Sequence, residues 1–515
     1  MNWRPLGDAA LVCLVESAES AASLARRLRK DSPLSCLDVV SSYDQLAVFF
    51  KPKDGAALAE WLKNEPLSET SDPPPCQHRV PVHYDSELIA PLAEKLGLTI
   101  EEIISLHHSA SYRVAAVGFS PGFPYLTGLP EELIIPRKKT PEKLPAGSVA
   151  IAADQAGIYP TASLGGWHSL GRTNFPLFNG SSAALEPGDQ VTFYPGNCDH
   201  SVEVDHSDSI AKDPVLEILA PGPVTTVQDL GRPGFRHLGV TAGGAADPEA
   251  AASVNLLVGN PPDAPVLEFC LLGPSVRFLK DACIAFLGLT DSRAGSPQHL
   301  RAGDTLNLVG RSTSSYGYLA IAGGFHVPKI LGSAATDVRA KLGRVLKKSD
   351  RLDAGPPSPP PSFSPSQHVL WPHSLNSNSF LNLRILPGLQ EKLFPDLYDL
   401  TFIKSAHFDR TGARINGPDL HLREPHELRS QPVAPGAIQV PPSGQPIVLT
   451  AECQTIGGYP VIAHVISADL PSFARALPGT VINFQKVTLA EARSAHADRL
   501  QEFALLKTGL DLLQP

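Results

Sequence analysis

VAAVGFSPGFPYLTGLP (residues 114–130), with PRKKTP (136–141), LPAGSVAIAADQAGIYP (144–160) and GGWHSLGRT (165–173) after it, is the stretch on which the reading of this chain turns. Its glycines and prolines break any long helix, because proline lacks an N–H donor and glycine loses extra backbone entropy on ordering. Two short apolar runs, 114–117 and 148–152, read as buried strands. The loops between them carry Tyr125, Arg137, Lys138, Lys139, Gln155, Tyr159, Trp167, His168 and Arg172. Aromatic, cationic and amide groups on loops held by strands are the ingredients of a polar pocket. Decorated turns of an ordinary β-protein would carry the same residues, and residue types alone leave both readings open.

Composition bounds the rest. The 515 residues suggest three to five domains, at roughly 100–200 residues each. Lys+Arg of 43 against Asp+Glu of 52 gives a net charge of −9, which argues against a nucleic-acid binder. Fifty prolines and 41 glycines beside 43% hydrophobic residues describe a globular, loop-rich, mostly β chain. The seven cysteines form no CxxC pair, so neither a disulfide framework nor a zinc ribbon is expected. The first residues lack the pattern of a secretory signal, and no window approaches 18 unbroken apolar residues; a soluble cytoplasmic protein without membrane contact is expected. There is no GxxxxGK[ST] phosphate loop.

The motifs GFSPGFPYL (118–126), PR (136–137), LPAGSVAIA (144–152), QAGIYP (155–160), GGW (165–167) and GRT (171–173), in that order, resemble the signature of the allophanate hydrolase subunit 1 family, which includes the B subunit of the prokaryotic ATP-dependent 5-oxoprolinase. PGPVTTVQDLGRPG (221–234), GGAAD (243–247), NLLVGN (255–260), DRTGARING (409–417), PGAIQVPPSGQPIVL (435–449) and ECQTIGGYP (452–460) resemble subunit 2 of the same family, equivalent to the C subunit of 5-oxoprolinase. The resemblance implies a fused B–C protein of mostly β and α+β class. It is divided into a ferredoxin-like module (1–77), a cyclophilin-like domain (78–207), a second such domain (213–355), a Pro/Ser-rich linker (356–378) and a third cyclophilin-like domain with a C-terminal helix (379–515). The order strand, helix, strand, strand, helix over the first 63 residues fits the ferredoxin-like module independently. SDPPPC (71–76) reads as a stiff linker. LEPGDQVTF (185–193), LRAGDTLNL (300–308) and LPGTVINF (477–484) each join a leucine, a glycine turn and an alternating strand, which suggests duplication of one barrel type.

Local signals place several residues. Thr99 with Glu102 reads as a helix-capping pair, and Asp247-Pro248 as a helix start. Residues 488–513 read as a packing helix, and Asp8 as a turn residue. His107 falls on a family histidine at a helix end. It serves either as a charge against the helix dipole or as a general base. Gln228, Asp229 and Arg232 share one turn, which they fix or from which they face a ligand.

What the resemblance implies chemically is ATP-dependent opening of 5-oxo-L-proline to L-glutamate together with a separate A subunit. ATP, with or without Mg, is the expected cofactor. This chain carries no covalent biotin, since its only methionine is Met1 and biotin acceptor lysines usually sit between methionines. Candidate catalytic residues are His107, Glu452 and Asp409. Candidate substrate contacts are Tyr125, Arg137, Gln155, Tyr159, Trp167, Arg172, Gln228, Arg232, Arg410, Arg414, Gln439, Gln454 and Tyr459, the arginines for phosphate or carboxylate oxygens and the amides for an amide substrate. Alternatives are carboxyl transfer from a partner's biotin to urea or a similar amide, a diverged small-molecule substrate, and a non-catalytic regulator like the related bacterial kinase-inhibitor pair. Departures from the family pattern at Ala334, Asp337, Gln431 and Glu452 bear on the substrate. The sequence leaves homo-oligomerisation open.

Overall fold

The computed structural model describes residues 1–64, 75–138, 140–198, 211–310, 312–357, 380–394, 397–422 and 428–512. Lys139, the first four residues of SDPPPC and the linker from residue 358 onward lie outside these.

The chain opens with strand Ala10–Leu14, helix Ala18–Asp31, strands Cys36–Ser42 and Gln45–Phe50, and helix Gly55–Asn64. Ser17 starts the first helix by accepting the Ser20 N–H at 3.2 Å, and its Ala21, Leu24, Ala25 and Leu28 face is buried. These strands extend a sheet whose other seven members close on themselves. Ser111–Val117, Gln190–Pro195, Gln77–Tyr84, His168–Arg172, Ser148–Ala152, Gln155–Ile158 and Pro124–Thr127 pair in that order, and the last returns to the first. The small module joins this ring through a single register pair, Ser42 with Ala116.

The last part of the chain forms a closed barrel of seven strands that includes Phe380–Pro387, Thr401–Phe408 and Val481–Lys486. Both rings are sealed by one parallel pairing, Gln77–Tyr84 with Gln190–Pro195 and Phe380–Pro387 with Val481–Lys486. The closing strands are the first and third copies of the sequence repeat. The second copy behaves differently: strand Thr305–Asn307 lies at the edge of one of two five-stranded sheets. It pairs on one side only, with strand Ser275–Phe278, and so closes no ring. The protein is thus mostly β, with closed barrels and α+β character.

Two helix caps form where the sequence indicates them. Thr99 and Glu102 cap helix Ile100–Ser109 reciprocally, and Asp247 caps helix Pro248–Leu257. The long helix Leu489–Asp511 packs through Ala492, Ala495 and Leu510, and Arg499 ties it to Glu249. Asp8 lies in the turn between the antiparallel strands Arg4–Pro5 and Ala10–Leu14, as expected, but it is buried there and accepts the Ser467 hydroxyl at 2.8 Å, which stitches the start of the chain to its end.

Candidate functional site

The two halves of the chain meet along a seam, and one loop faces it on both sides. This loop, residues 450–458, is set by backbone bonds: Cys453 N–H to Thr450 O at 3.0 Å and Glu452 N–H to Arg410 O at 2.7 Å. These turn Glu452 toward the interior, and Thr455 and Ile456 lie against Gly118 of the signature loops.

On the inner side, Arg410 is fully committed. Its Nε lies 2.5 Å from Glu452 Oε1, and its other nitrogens bind Glu268 and the Gly244 carbonyl. Glu268 also accepts the Tyr318 hydroxyl at 2.9 Å and the Ala246 N–H at 2.7 Å. Asp337 sits close enough to act on Glu452, while accepting the Thr241 hydroxyl at 2.7 Å. Burial pushes the Glu452 carboxyl up to about 7. Arg410 pulls the other way, and the neighbouring acids Asp337 and Glu268 add to the rise. A carboxyl that titrates near neutral pH can both take and give a proton.

Arg232 belongs to this neighbourhood. Its Nε and one terminal nitrogen hold the carbonyls of Ile330 and Ala335, which leaves Nη1 buried with no partner among the described residues. Gln228 and Asp229 resolve toward fixing the turn. Gln228 holds Thr336 O at 3.0 Å, and Asp229 accepts from Gly231, Ser333 and Ala334. The departure at Ala334 therefore removes a side chain from a loop whose backbone Asp229 still anchors.

On the outer side, Tyr125, Tyr159, Trp167 and Phe123 pack edge to face beneath the seam. Ala434 and Ile456 of the second half close the same apolar cluster. The Tyr125 hydroxyl faces Ser430, and the Ser42 hydroxyl donates to Ser430 O at 2.7 Å. Gln454 donates to Gln439 at 3.3 Å, and Gln439 reaches the Tyr459 carbonyl at 3.5 Å. A Cβ on Gly457 would lie 2.7 Å from Gln439 Nε2 and 3.1 Å from Gln454 Nε2, so any larger residue there displaces one of the two amides. Phe119 and Tyr43 adopt left-handed backbone conformations (φ 68° and 53°) at this seam, which are uncommon and strained for aromatic residues. Gln155 is buried, and its Oε1 has no partner among the described residues. Arg137 reaches across: its Nη1 would be 3.7 Å from a Cβ on Gly458. With Arg172 it also lines a groove of about 960 Å³ on the first ring.

Three candidates fall elsewhere. His107 is completely buried, hydrogen-bonded to the Tyr84 hydroxyl at 2.8 Å and stacked on Phe193. Burial pushes its pKa down to about 3, so it is a neutral core residue, neither a dipole charge nor a base at the seam. Asp409 accepts the N–H groups of Thr411 and Gly412 and so fixes a turn. Arg414 is exposed on strand Gly412–Asn416. Gln431, where an acid is usual, pairs reciprocally with Gln390 at 3.1 Å.

Sequence reasoning missed Glu268, Asp38 and Arg236. Arg236 holds Val433 O at 2.6 Å and Gln454 O at 3.2 Å, its own N–H binds Asp38, and it lies over the Phe49 ring. It ties the loop to the first half of the chain. An acid inside the apolar run VLEFC was a readable sign of a buried ion partner at Glu268. Arg236 had no such local sign.

Comparison with known proteins follows the same division. The carboxyltransferase domain family matches over residues 1–186 with its subdomains C and D and over residues 238–486 with its subdomains A and B. The 5-oxoprolinase C subunit of Escherichia coli (strain K12) is 36% identical over 57% of this chain and 97% of its own length. The 5-oxoprolinase B subunit of Escherichia coli O157:H7 is 34% identical over 37% of this chain and 94% of its own. The crystal structure of TTHA0988 is 33% identical with a TM-score of 0.81, over 92% of this chain and 99% of that one. The crystal structure of the Kluyveromyces lactis urea carboxylase is 25% identical with a TM-score of 0.51, over 59% of this chain and 30% of that one.

Proposed function

Since the chain belongs to the carboxyltransferase domain family and joins a half similar to the 5-oxoprolinase B subunit to a half similar to the C subunit, we propose that it is the fused B–C component of an ATP-dependent 5-oxoprolinase working with a separate A subunit. The observation that carries this reading is coverage: nearly the whole length of both bacterial subunits is matched within one chain. It is an enzyme component, and carboxyl transfer to urea is the runner-up, with weaker likeness behind it. The finer fold plan, a ferredoxin-like module and three cyclophilin-like domains, belongs to the same proposal. So do the cytoplasmic location and the use of ATP. Among the described residues no helix is long and apolar enough to cross a membrane.

The residues suit a lactam that also carries a carboxylate. The amides of Gln439 and Gln454 offer both a donor and an acceptor to a ring amide. Arg137 supplies a cation for the carboxylate. Glu452, two residues from Gln454 but on the inner side of the same loop, is the titrating group proposed to supply and take up the proton that lactam opening requires. In the balanced reaction one water opens the lactam and a second completes ATP hydrolysis, giving glutamate, ADP and phosphate. The reading is tested by following ¹³C-labelled 5-oxoproline by NMR with the chain, ATP and an A subunit. Conversion to glutamate supports it. Inert lactam, with urea carboxylated in the presence of a biotinyl partner, replaces it with the runner-up.

A further inference from the structure

The groove on the first ring has a charge pattern that the seam does not explain. Helix Ser86–Leu96, the segments 135–138 and 140–145 and strand His168–Arg172 enclose it. Lys95, Arg137, Lys138, Lys143 and Arg172 line it, against the carboxylates Glu87 and Glu142. Lys138 is paired with Glu142 at 2.7 Å. Among the described residues, no ion pair occupies Lys95, Arg137, Lys143 or Arg172. Four like charges gathered in one concavity repel one another, and a surface built only for solubility disperses such charges between opposite ones. The charges of Lys95 and of the paired Lys138 reach the groove floor. His168, held to Pro136 O at 3.0 Å, is kept below its ordinary pKa first by burial and then by the charges of Lys138 and Lys95. Leu88, Pro91 and Pro136 add an apolar wall. A volume of about 960 Å³ is at the upper end for small-molecule sites, which run to roughly 1,000 Å³.

We infer that this groove binds the phosphate groups of a nucleoside polyphosphate, with Lys95, Lys143 and Arg172 on the phosphates and Arg137 at the end nearest the seam. A lone carboxylate needs one or two of these cations; a chain of phosphates carries enough negative charge for all four. Arg137 is shared between groove and seam, so a phosphate at that end lies beside Gly458 and the amide pair. The choice of a nucleoside rests on the ATP-coupled reading above; the charge argument stands without it.

The test is calorimetric titration of the full chain with adenylyl imidodiphosphate, a slowly hydrolysed ATP analogue, with neither 5-oxoproline nor an A subunit present. Binding is therefore read independently of turnover. Lys95 and Lys143 are exposed, so the doubly reversed variant K95E/K143E leaves the core untouched. It is expected to bind at least about tenfold more weakly. Binding by the unaltered chain is expected to weaken as salt rises, and K63E, a reversal outside the groove, is expected to change nothing. Displacement of the analogue by inorganic phosphate but not by adenosine confirms that the phosphates are what is held. Binding of phosphate alone keeps the phosphate site and discards the nucleoside. No binding to the unaltered chain, equal binding by K95E/K143E, or displacement by adenosine overturns the inference. An intact groove with no lactam turnover would instead count against the oxoprolinase reading alone.

Discussion

Arg410 Nε and Glu452 Oε1 lie 2.5 Å apart in the interior of the second half, and Glu268 holds the other side of the same guanidinium. Burial outweighs the pull of that cation and, with smaller contributions from Asp337 and Glu268, holds the Glu452 carboxyl up at about 7.

If Glu452 moves the proton, Glu452→Gln lowers kcat by about a hundredfold or more. It should also remove the limb near pH 7 from the pH–rate profile of glutamate formation. Glu452→Asp, which restores the residue usual in the resembling family, keeps that limb. A glutamine variant with an unchanged profile would show that the carboxyl is structural.

Arg410 tests the network by stability. Arg410→Met leaves Glu268 and Glu452 buried without their cation, and the expected loss is about 3–5 kcal/mol in urea unfolding. Adding Glu268→Gln and Glu452→Gln to Arg410→Met should recover much of that loss, because no uncompensated charge then remains. A triple variant as unstable as the single one would refute the electrostatic account.

The stitching of the halves rests on Arg236. Arg236→Ala removes the bonds to Val433 and Gln454 carbonyls. Scanning calorimetry is expected to resolve two unfolding transitions where the unaltered chain shows one. Arg236→Lys, without the planar fork, should fall between them. A single unshifted transition in Arg236→Ala would mean that the apolar seam alone couples the halves.

Much of the local architecture was readable from sequence. The apolar run 148–152 is strand Ser148–Ala152, and the capping pairs at Thr99 and Asp247 start helices because their spacing alone decides those bonds. The repeats announced their closing strands, but not that Thr305–Asn307 would lie at a sheet edge. What stayed hidden was pairing across distance. Arg410 meets Glu268, and Arg236 meets Gln454, from positions 142 and 218 residues apart. No local pattern carries that information. His107 shows the converse: its motif pointed to chemistry, while Tyr84 and Phe193, from two other strands, enclose it as core.

Buried histidines set an acid limit. The His107 and His464 pKa values are pushed by burial to about 3 and about 4. For such bases the stability is fully present above the unfolded value near 6.5 and is lost as pH falls toward the folded values. Glu452 acts in the opposite sense. Its contribution is present below about 4.5 and is lost as pH rises through about 7. Melting temperatures should therefore drop below pH 6.5, and His107→Phe should flatten that drop. An equally steep drop in the variant would show that His107 is not held neutral.

The measurement closest to the central claim is the simultaneous count of ADP and glutamate formed by this chain, an A subunit, ATP and 5-oxoproline. The account predicts equal amounts of both, formed only when all four are present. ADP released at the same rate without 5-oxoproline, or no glutamate under any combination, would contradict it.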